Sequence, residues 1–191
     1  FLAHGLQGLP PQRYAETYLS APLGEHRLVA KYDLIATDPV SKRVVIVDWK
    51  TASRRPASSR LQARLQTVVY RYLMVQAGAY YLGGAPVQPA QVEMRYWFAN
   101  FPTEPERLAY TTAQYEHDMA TLAALAAEIE AAEVFPKLPE DRKGTACRYC
   151  SYRNLCWDDV TAGPLSEMEL DDEPPDFSFE IDLDQIAEIE F

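Results

Sequence analysis

Asp48 and Lys50 close the run VVIVDWK, and their types and spacing suggest chemistry more directly than any other pair in the sequence. Four consecutive apolar residues mark a buried strand, and period two puts Val44, Ile46, Asp48 and Lys50 on one face. Two charges at the end of a buried strand are costly unless paired or bound to something. A structural Asp48–Lys50 ion pair is one reading. Asp33, which follows LVAKY in the preceding segment, supplies another. With a turn near residues 38–42, an antiparallel register places Asp33 opposite Asp48, and same-face cross-strand Cβ atoms lie roughly 5 Å apart. Two carboxylates that close repel, and one pKa rises. A hard divalent cation, Mg²⁺ or Mn²⁺, removes that penalty and takes carboxylate and water oxygens. Lys50 then points at the same centre, where it can position or help deprotonate a water and neutralise a phosphoryl oxygen. Such a set suits hydrolysis of a phosphodiester.

Polar and basic residues follow the pair. Gln62, Gln66 and Tyr70 lie at i, i+4 and i+8, so one helix would present them as a polar line beside its apolar face. They could meet a phosphate backbone or hold Lys50; plain amphipathicity also explains them. Arg54, Arg55, Arg60 and Arg64 surround the same region, with phosphate contact as their natural role and solvated loop arginines as the plain one. Farther on, Cys147, Cys150 and Cys156 form C-x2-C-x5-C. Three thiolates this close can wrap one metal centre, but a closed zinc site or a usual [4Fe–4S] cluster needs a fourth ligand, and no fourth cysteine exists in the sequence. Three ordinary buried cysteines are the alternative.

The elements that must position these residues read as strands, helix, strands, helix. Strands are expected at residues 14–19, 26–36 and 43–50, joined by short turns and so arranged as an antiparallel meander. The polar segment TASRRPASSR should be a loop. Ser58 or Ser59 can then cap one helix running to Gln76, with Leu61, Leu65, Val68, Tyr72 and Leu73 facing the sheet. Strands at 91–99 and 107–111 follow. A second helix over 113–133 would carry an apolar stripe of Tyr115, Met119, Leu122, Ala126 and Ile129. The implied architecture is an α/β fold with helices covering a mixed β-sheet.

The ordered set Asp33, Asp48-x-Lys50 and Gln66-x-x-x-Tyr70 resembles the PD-(D/E)xK nuclease superfamily in its RecB-like and Cas4-like branch, over about residues 14–160. The resemblance implies a restriction-endonuclease-like core. Asp33 would be the first metal-binding aspartate, Asp48 the second, and Lys50 the catalytic lysine. The backbone carbonyl of Trp49 would be a further metal ligand, with Glu16, on the preceding strand, a weaker candidate. Gln66 and Tyr70 match the helix motif. CRYCSYRNLC resembles the C-terminal cysteine trio of Cas4 and AddB-type nucleases, where a distant fourth cysteine completes a [4Fe–4S] cluster; without that fourth ligand, zinc is the alternative. Lys31 stands where many relatives have glycine, and His4 lies in a non-helical stretch where relatives carry a helical histidine. The implied function is a metal-dependent deoxyribonuclease acting at single-stranded ends or flaps, as an exonuclease rather than an endonuclease. A nucleic-acid-binding or assembly module that keeps the fold without turnover is the second reading.

Charge distribution is compatible with a DNA partner. The 191 residues carry a formal charge of -10, but residues 164–191 hold eleven acids and no Lys or Arg, so the first 163 carry 17 acids against 18 bases. Residues 1–163 are therefore read as the nuclease domain, with the cysteine segment 147–156 inside it. Residues 164–191 are read as an acidic tail, in which 177–183 alternates apolar and acidic and could add to a sheet edge. No run approaches a membrane span, and clustered cysteines suit a reducing, cytoplasmic setting. A homo-oligomer or a larger repair or defence complex is compatible with such a chain.

Overall fold

A computed structural model describes residues 4–52, 54–134, 136–148, 150 and 152–157. The acidic tail 164–191, with the candidate docking strand 177–183, lies outside the described residues. The chain divides between Lys137 and Leu138 into two units. The first holds a five-stranded sheet: β1 (Gln12–Leu23), β2 (His26–Asp38), β3 (Arg43–Lys50), β4 (Val92–Phe98) and β5 (Glu106–Ala109), in spatial order β1-β2-β3-β4-β5. Neighbours are antiparallel except β3 and β4, which are parallel. The expected mixed sheet with covering helices, and the antiparallel meander at its start, are therefore observed.

The parallel step exists because the chain crosses over between β3 and β4. That crossover contains α1 (Ser58–Ala63) and α2 (Leu65–Ala77). A single helix from Ser58 to Gln76 was expected; the chain instead breaks at Arg64, whose backbone is extended (φ −63°, ψ 137°). After β5, α3 (Thr112–Ala131) starts on a capping box in which Thr111 and Gln114 satisfy each other's backbone N–H groups.

β3 is apolar on both faces because it is covered on both. Val44 and Ile46 pack with Leu61, Leu73 and Met74 under the crossover helices. Val45 and Val47 pack on the other face with Leu34, Ala36 and Trp97, and Leu6 and Leu9 cover them. That N-terminal segment is fastened by polar groups: Arg95 Nη1 donates to the Gln7 carbonyl at 3.0 Å and Arg43 Nη1 to that of Gly8 at 3.2 Å. Glu93 bridges both arginines, which hold its carboxyl below its ordinary range despite burial.

Two expectations about helix faces change. Leu61 and Leu73 do meet the sheet, but Val68 and Tyr72 join Leu122 in a separate cluster between α2 and α3. On α3 the expected stripe is packed in part: Leu122 is buried and Tyr115 packs against the core, but Met119 and Ile129 are 41% and 56% exposed and Asp118 is buried beside them. Asp118 forms an ion pair with Arg71 of α2, at 3.1 Å.

Thr37 on β2 is fully buried, yet its hydroxyl has no hydrogen-bond partner among the described residues. A buried hydroxyl left unpaired costs about 1–3 kcal/mol. Thr37→Val is therefore expected to raise the melting temperature by a few degrees. A lower melting temperature would show that the hydroxyl is paired.

The second unit, from Leu138, includes two short helices, α4 (Lys143–Ala146) and α5 (Arg153–Cys156). No helix among the described residues is long and apolar enough to cross a membrane.

Candidate active site

The site forms where the sheet's regular pairing ends. The β1–β2 ladder runs from Gln12↔Thr37 to Leu23↔His26 but omits Glu16 and Asp33. Side-chain alternation slips at the same place. Ala30 and Tyr32 face the helix-side core, and so does Ile35, while Leu34 faces the opposite side. On β1, Tyr14 lies against the same helix-side core as Leu19 and Ala21. The pairing register is the same on both sides, Ala15↔Leu34 and Thr17↔Tyr32, so both strands change faces together at the unpaired Glu16 and Asp33. Glu16 marks the change with φ 50°, a left-handed conformation that costs a non-glycine residue about 1 kcal/mol or more.

The slip frees Asp33 from the ladder and lets its carboxylate act as an acceptor. The β2–β3 ladder stops at Leu34↔Val47, and Asp33 Oδ2 then accepts the Trp49 backbone N–H at 2.9 Å. Asp33 thus takes over where backbone pairing ends, one step beyond Leu34 and opposite Asp48.

Asp48 is 2% exposed. Its Oδ1 accepts from Gln66 Nε2 at 3.0 Å. Its Oδ2 lies 3.1 Å from Lys50 Nζ as an ion pair, without hydrogen-bond alignment, and is otherwise a buried oxygen with no hydrogen bond. Burial pushes the Asp48 carboxyl up to about 7; the Lys50 charge opposes this, and the Asp33 charge adds to it. The repulsion expected between these two carboxylates is therefore present.

Gln66 of α2 is the hub. It donates to Asp48 and to Tyr70 Oη at 3.2 Å, and its Oε1 accepts from Lys50 Nζ at 3.4 Å. Tyr70 Oη donates in turn to the Lys31 carbonyl, and the Tyr70 carbonyl accepts from Tyr32 Oη at 2.9 Å. Four expected residues, Asp48, Lys50, Gln66 and Tyr70, thus form one connected network, with Asp33 beside it.

Other expected residues are placed differently. Gln62 belongs to α1, so the break at Arg64 separates it from the Gln66–Tyr70 line. Arg55 is committed to Glu104 at 3.3 Å and to Glu106. Arg54 and Arg60 are exposed. Arg64 lies close enough for its charge to oppose the rise at Asp48. Glu16 Oε2 is held by Lys31 Nζ at 2.7 Å, with both side chains largely in solvent. Sequence reading missed Thr67 and Tyr96, whose hydroxyls meet at 2.6 Å beneath the site; apolar surroundings hide such pairs from any periodicity.

The donors at the site are all oxygens, which suits a hard divalent cation. The buried, unbonded Asp48 Oδ2 with Asp33 beside it fits such an ion. Among the described residues no three His, Cys, Asp or Glu side chains gather as a metal site. Two carboxylates would therefore need a backbone carbonyl and water to complete a shell. The same observation bears on the second unit. Cys147, Cys150 and Cys156 are partly exposed, none is in a disulfide, and they are not gathered around a common centre.

Comparison with known proteins bears on the whole arrangement. The family model of the PD-(D/E)XK nuclease superfamily matches residues 5–157. No curated protein matches the chain. Among solved structures, one described as the crystal structure of SSO0001 aligns with a TM-score of 0.47 and 14% identity over 78% of this chain. The chain spans 62% of that protein's length.

Proposed function

The chain belongs to the PD-(D/E)XK nuclease superfamily, and from that premise we propose that it is a Mg²⁺- or Mn²⁺-dependent deoxyribonuclease acting on single-stranded ends or flaps, as an exonuclease. The observation that carries the reading is the buried Asp48 Oδ2, which accepts no hydrogen bond among the described residues and faces the Lys50 ammonium at 3.1 Å. A carboxylate oxygen desolvated in this way has a ligand-binding valence left over.

Asp33, Asp48 and the Trp49 carbonyl would hold the cation. When bound, the cation supplies Lewis-acid polarisation of the phosphate and lowers the pKa of water. Lys50, fixed between Asp48 and Gln66, orients the attacking water and offsets charge on a phosphoryl oxygen. Gln66 keeps the Lys50 and Asp48 side chains in register, and Tyr70 anchors Gln66 to the β2 backbone. Gln62, Arg54, Arg60 and Arg64 are proposed as contacts along the nucleic-acid backbone. The ion pairs of Arg55 make it a brace for the loop before α1.

Degradation of end-labelled single-stranded DNA with Mg²⁺, Mn²⁺ or chelator tests this reading. Cleavage with either metal and none with chelator is expected. Lys50→Ala should lower the cleavage rate about 10²–10³-fold while changing DNA affinity by less than about 5-fold. An equal loss in both would make Lys50 a binding residue instead.

One observation favours a second reading, a binding module without turnover. Glu16, the third carboxylate near the site, is already neutralised by Lys31. DNA binding with no cleavage at saturating Mg²⁺ and Mn²⁺ would select it.

A further inference from the structure

The break between α1 and α2 contains neither glycine nor proline, and neither helix has a side-chain cap there. Local sequence therefore does not account for it. What spans it is Thr67, whose Oγ1 donates to the Leu61 carbonyl at 2.6 Å. That carbonyl lies in the last turn of α1 and also accepts the Arg64 backbone N–H at 3.4 Å, so the Thr67 hydroxyl and the residue at the break share one acceptor. The same Oγ1 lies 2.6 Å from Tyr96 Oη. A hydroxyl has one proton. Thr67 gives its proton to Leu61, so Tyr96 must be the donor to Thr67. The chain of protons runs from Tyr96 through Thr67 to the α1 carbonyl.

Thr67, Tyr96 and Leu61 are all fully buried, so these bonds do not compete with water. Tyr96 stands on β4 at the register position of Asp48. The helix break is therefore bolted to the strand position that neighbours the reactive carboxylate. Arg64 is the residue at the break, extended between two helices. It precedes by two residues Gln66, which bonds Asp48 and Lys50, so the break sits at this corner of the site.

We propose that Thr67 and Tyr96 are positioning residues that hold the α1–α2 break in shape, so that Arg64 grips the phosphate of the strand being cut. The proposal deepens the nuclease reading and rests on it for the identity of the ligand. The positioning itself is a property of the protein alone.

The test uses a fluorescein-labelled single-stranded oligonucleotide, with anisotropy measured in Ca²⁺ and cleavage measured in Mg²⁺ or Mn²⁺. Arg64→Ala and Thr67→Val are each expected to weaken binding about 10-fold and to reduce the salt dependence by about one phosphate contact. Thr67→Ser, which keeps the hydroxyl, should stay within about 2-fold of wild type. The double variant R64A/T67V should bind no worse than Arg64→Ala alone, because both changes remove one contact. Additive losses, failure of Thr67→Ser to rescue, or an Arg64→Ala variant that binds like wild type would each overturn the proposal. Should Thr67→Val not fold, Thr67→Ala, which also removes the hydroxyl, replaces it with the same expectations.

A second readout separates this proposal from the nuclease reading. The Arg64 Nε–H resonance in ¹⁵N spectra of the ligand-free protein should shift and sharpen in Thr67→Val and not in Thr67→Ser. An unchanged resonance in Thr67→Val overturns the positioning. If wild type neither binds nor cuts DNA while the resonance behaves as expected, the nuclease reading fails and the positioning stands.

Discussion

Asp48→Asn is expected to reduce metal-dependent DNA cleavage by about 10³-fold or more while leaving a folded and more stable protein. The loss of activity follows from removing one of the two carboxylates proposed to hold the cation, and the ion-pair partner of Lys50. The gain in stability follows from burial. Asp48 is 2% exposed and its carboxyl is pushed up to about 7, above the ordinary range for aspartate. The folded, metal-free protein therefore keeps a proton there that the unfolded chain releases. The stability linked to that proton is complete below the unfolded value near 4 and is lost as pH rises through about 7. The cost at pH 8 is on the order of 4 kcal/mol. Asparagine cannot ionise, and its amide oxygen can still accept from Gln66. With chelator at pH 8, Asp48→Asn should thus melt above wild type, and the gap should close toward pH 4. Parallel pH curves for the two proteins would refute the burial argument. Equal cleavage rates would remove Asp48 from the chemistry.

The largest loss of stability is expected from Asp118→Ala. Asp118 Oδ2 and Arg71 Nη2 pair at 3.1 Å with both residues nearly inaccessible to solvent, and the Arg71 guanidinium stacks 4.6 Å from the Tyr110 ring centroid. Arg71 Nε and Nη1 have no hydrogen-bond partner among the described residues, so Asp118 carries most of the compensation for a buried cation. Removing it leaves that charge in place and costs about 3–5 kcal/mol. For a domain this size the melting temperature should fall by about 10 °C. The double variant R71M/D118L, which removes both charges, should recover most of the loss, because buried pairs are often replaceable by apolar side chains. Asp118→Ala within about 1 kcal/mol of wild type, by chemical denaturation, would contradict this account. The pair matters to the site because it fixes α2 against α3, and α2 carries Gln66 and Tyr70.

What could be read from sequence divides along physical lines. β3 is recovered to the residue, Arg43–Lys50, because four consecutive apolar residues and a charged terminus leave little freedom in a central strand. The network of Asp48, Lys50, Gln66 and Tyr70 was legible because strand period and helix period both converge on it. The slip at Glu16 and Asp33 was not, since no glycine or proline marks it and it depends on two strands failing to pair at the same point. The break at Arg64 was hidden for a related reason: the hydroxyls that bridge it to β4, on Thr67 and Tyr96, are far apart in sequence. On α3, apolar periodicity found Leu122 and Tyr115 on the packed face but also pointed to the exposed Met119 and Ile129 and missed the buried Asp118. Periodicity counts apolar residues and reads a buried ion pair as surface. The placement of Arg55 against Glu104 and Glu106 likewise depends on β5, which only the folded chain brings near.

The central claim is that Asp33 and Asp48 share one divalent cation. Mn²⁺ binding by electron paramagnetic resonance at pH 8, compared among wild type, Asp33→Asn and Asp48→Asn, measures it most directly. Wild type should bind one Mn²⁺, and each single variant should bind it at least about 10-fold more weakly. Mn²⁺ affinity unchanged in both variants, or no binding by wild type, would contradict the shared site.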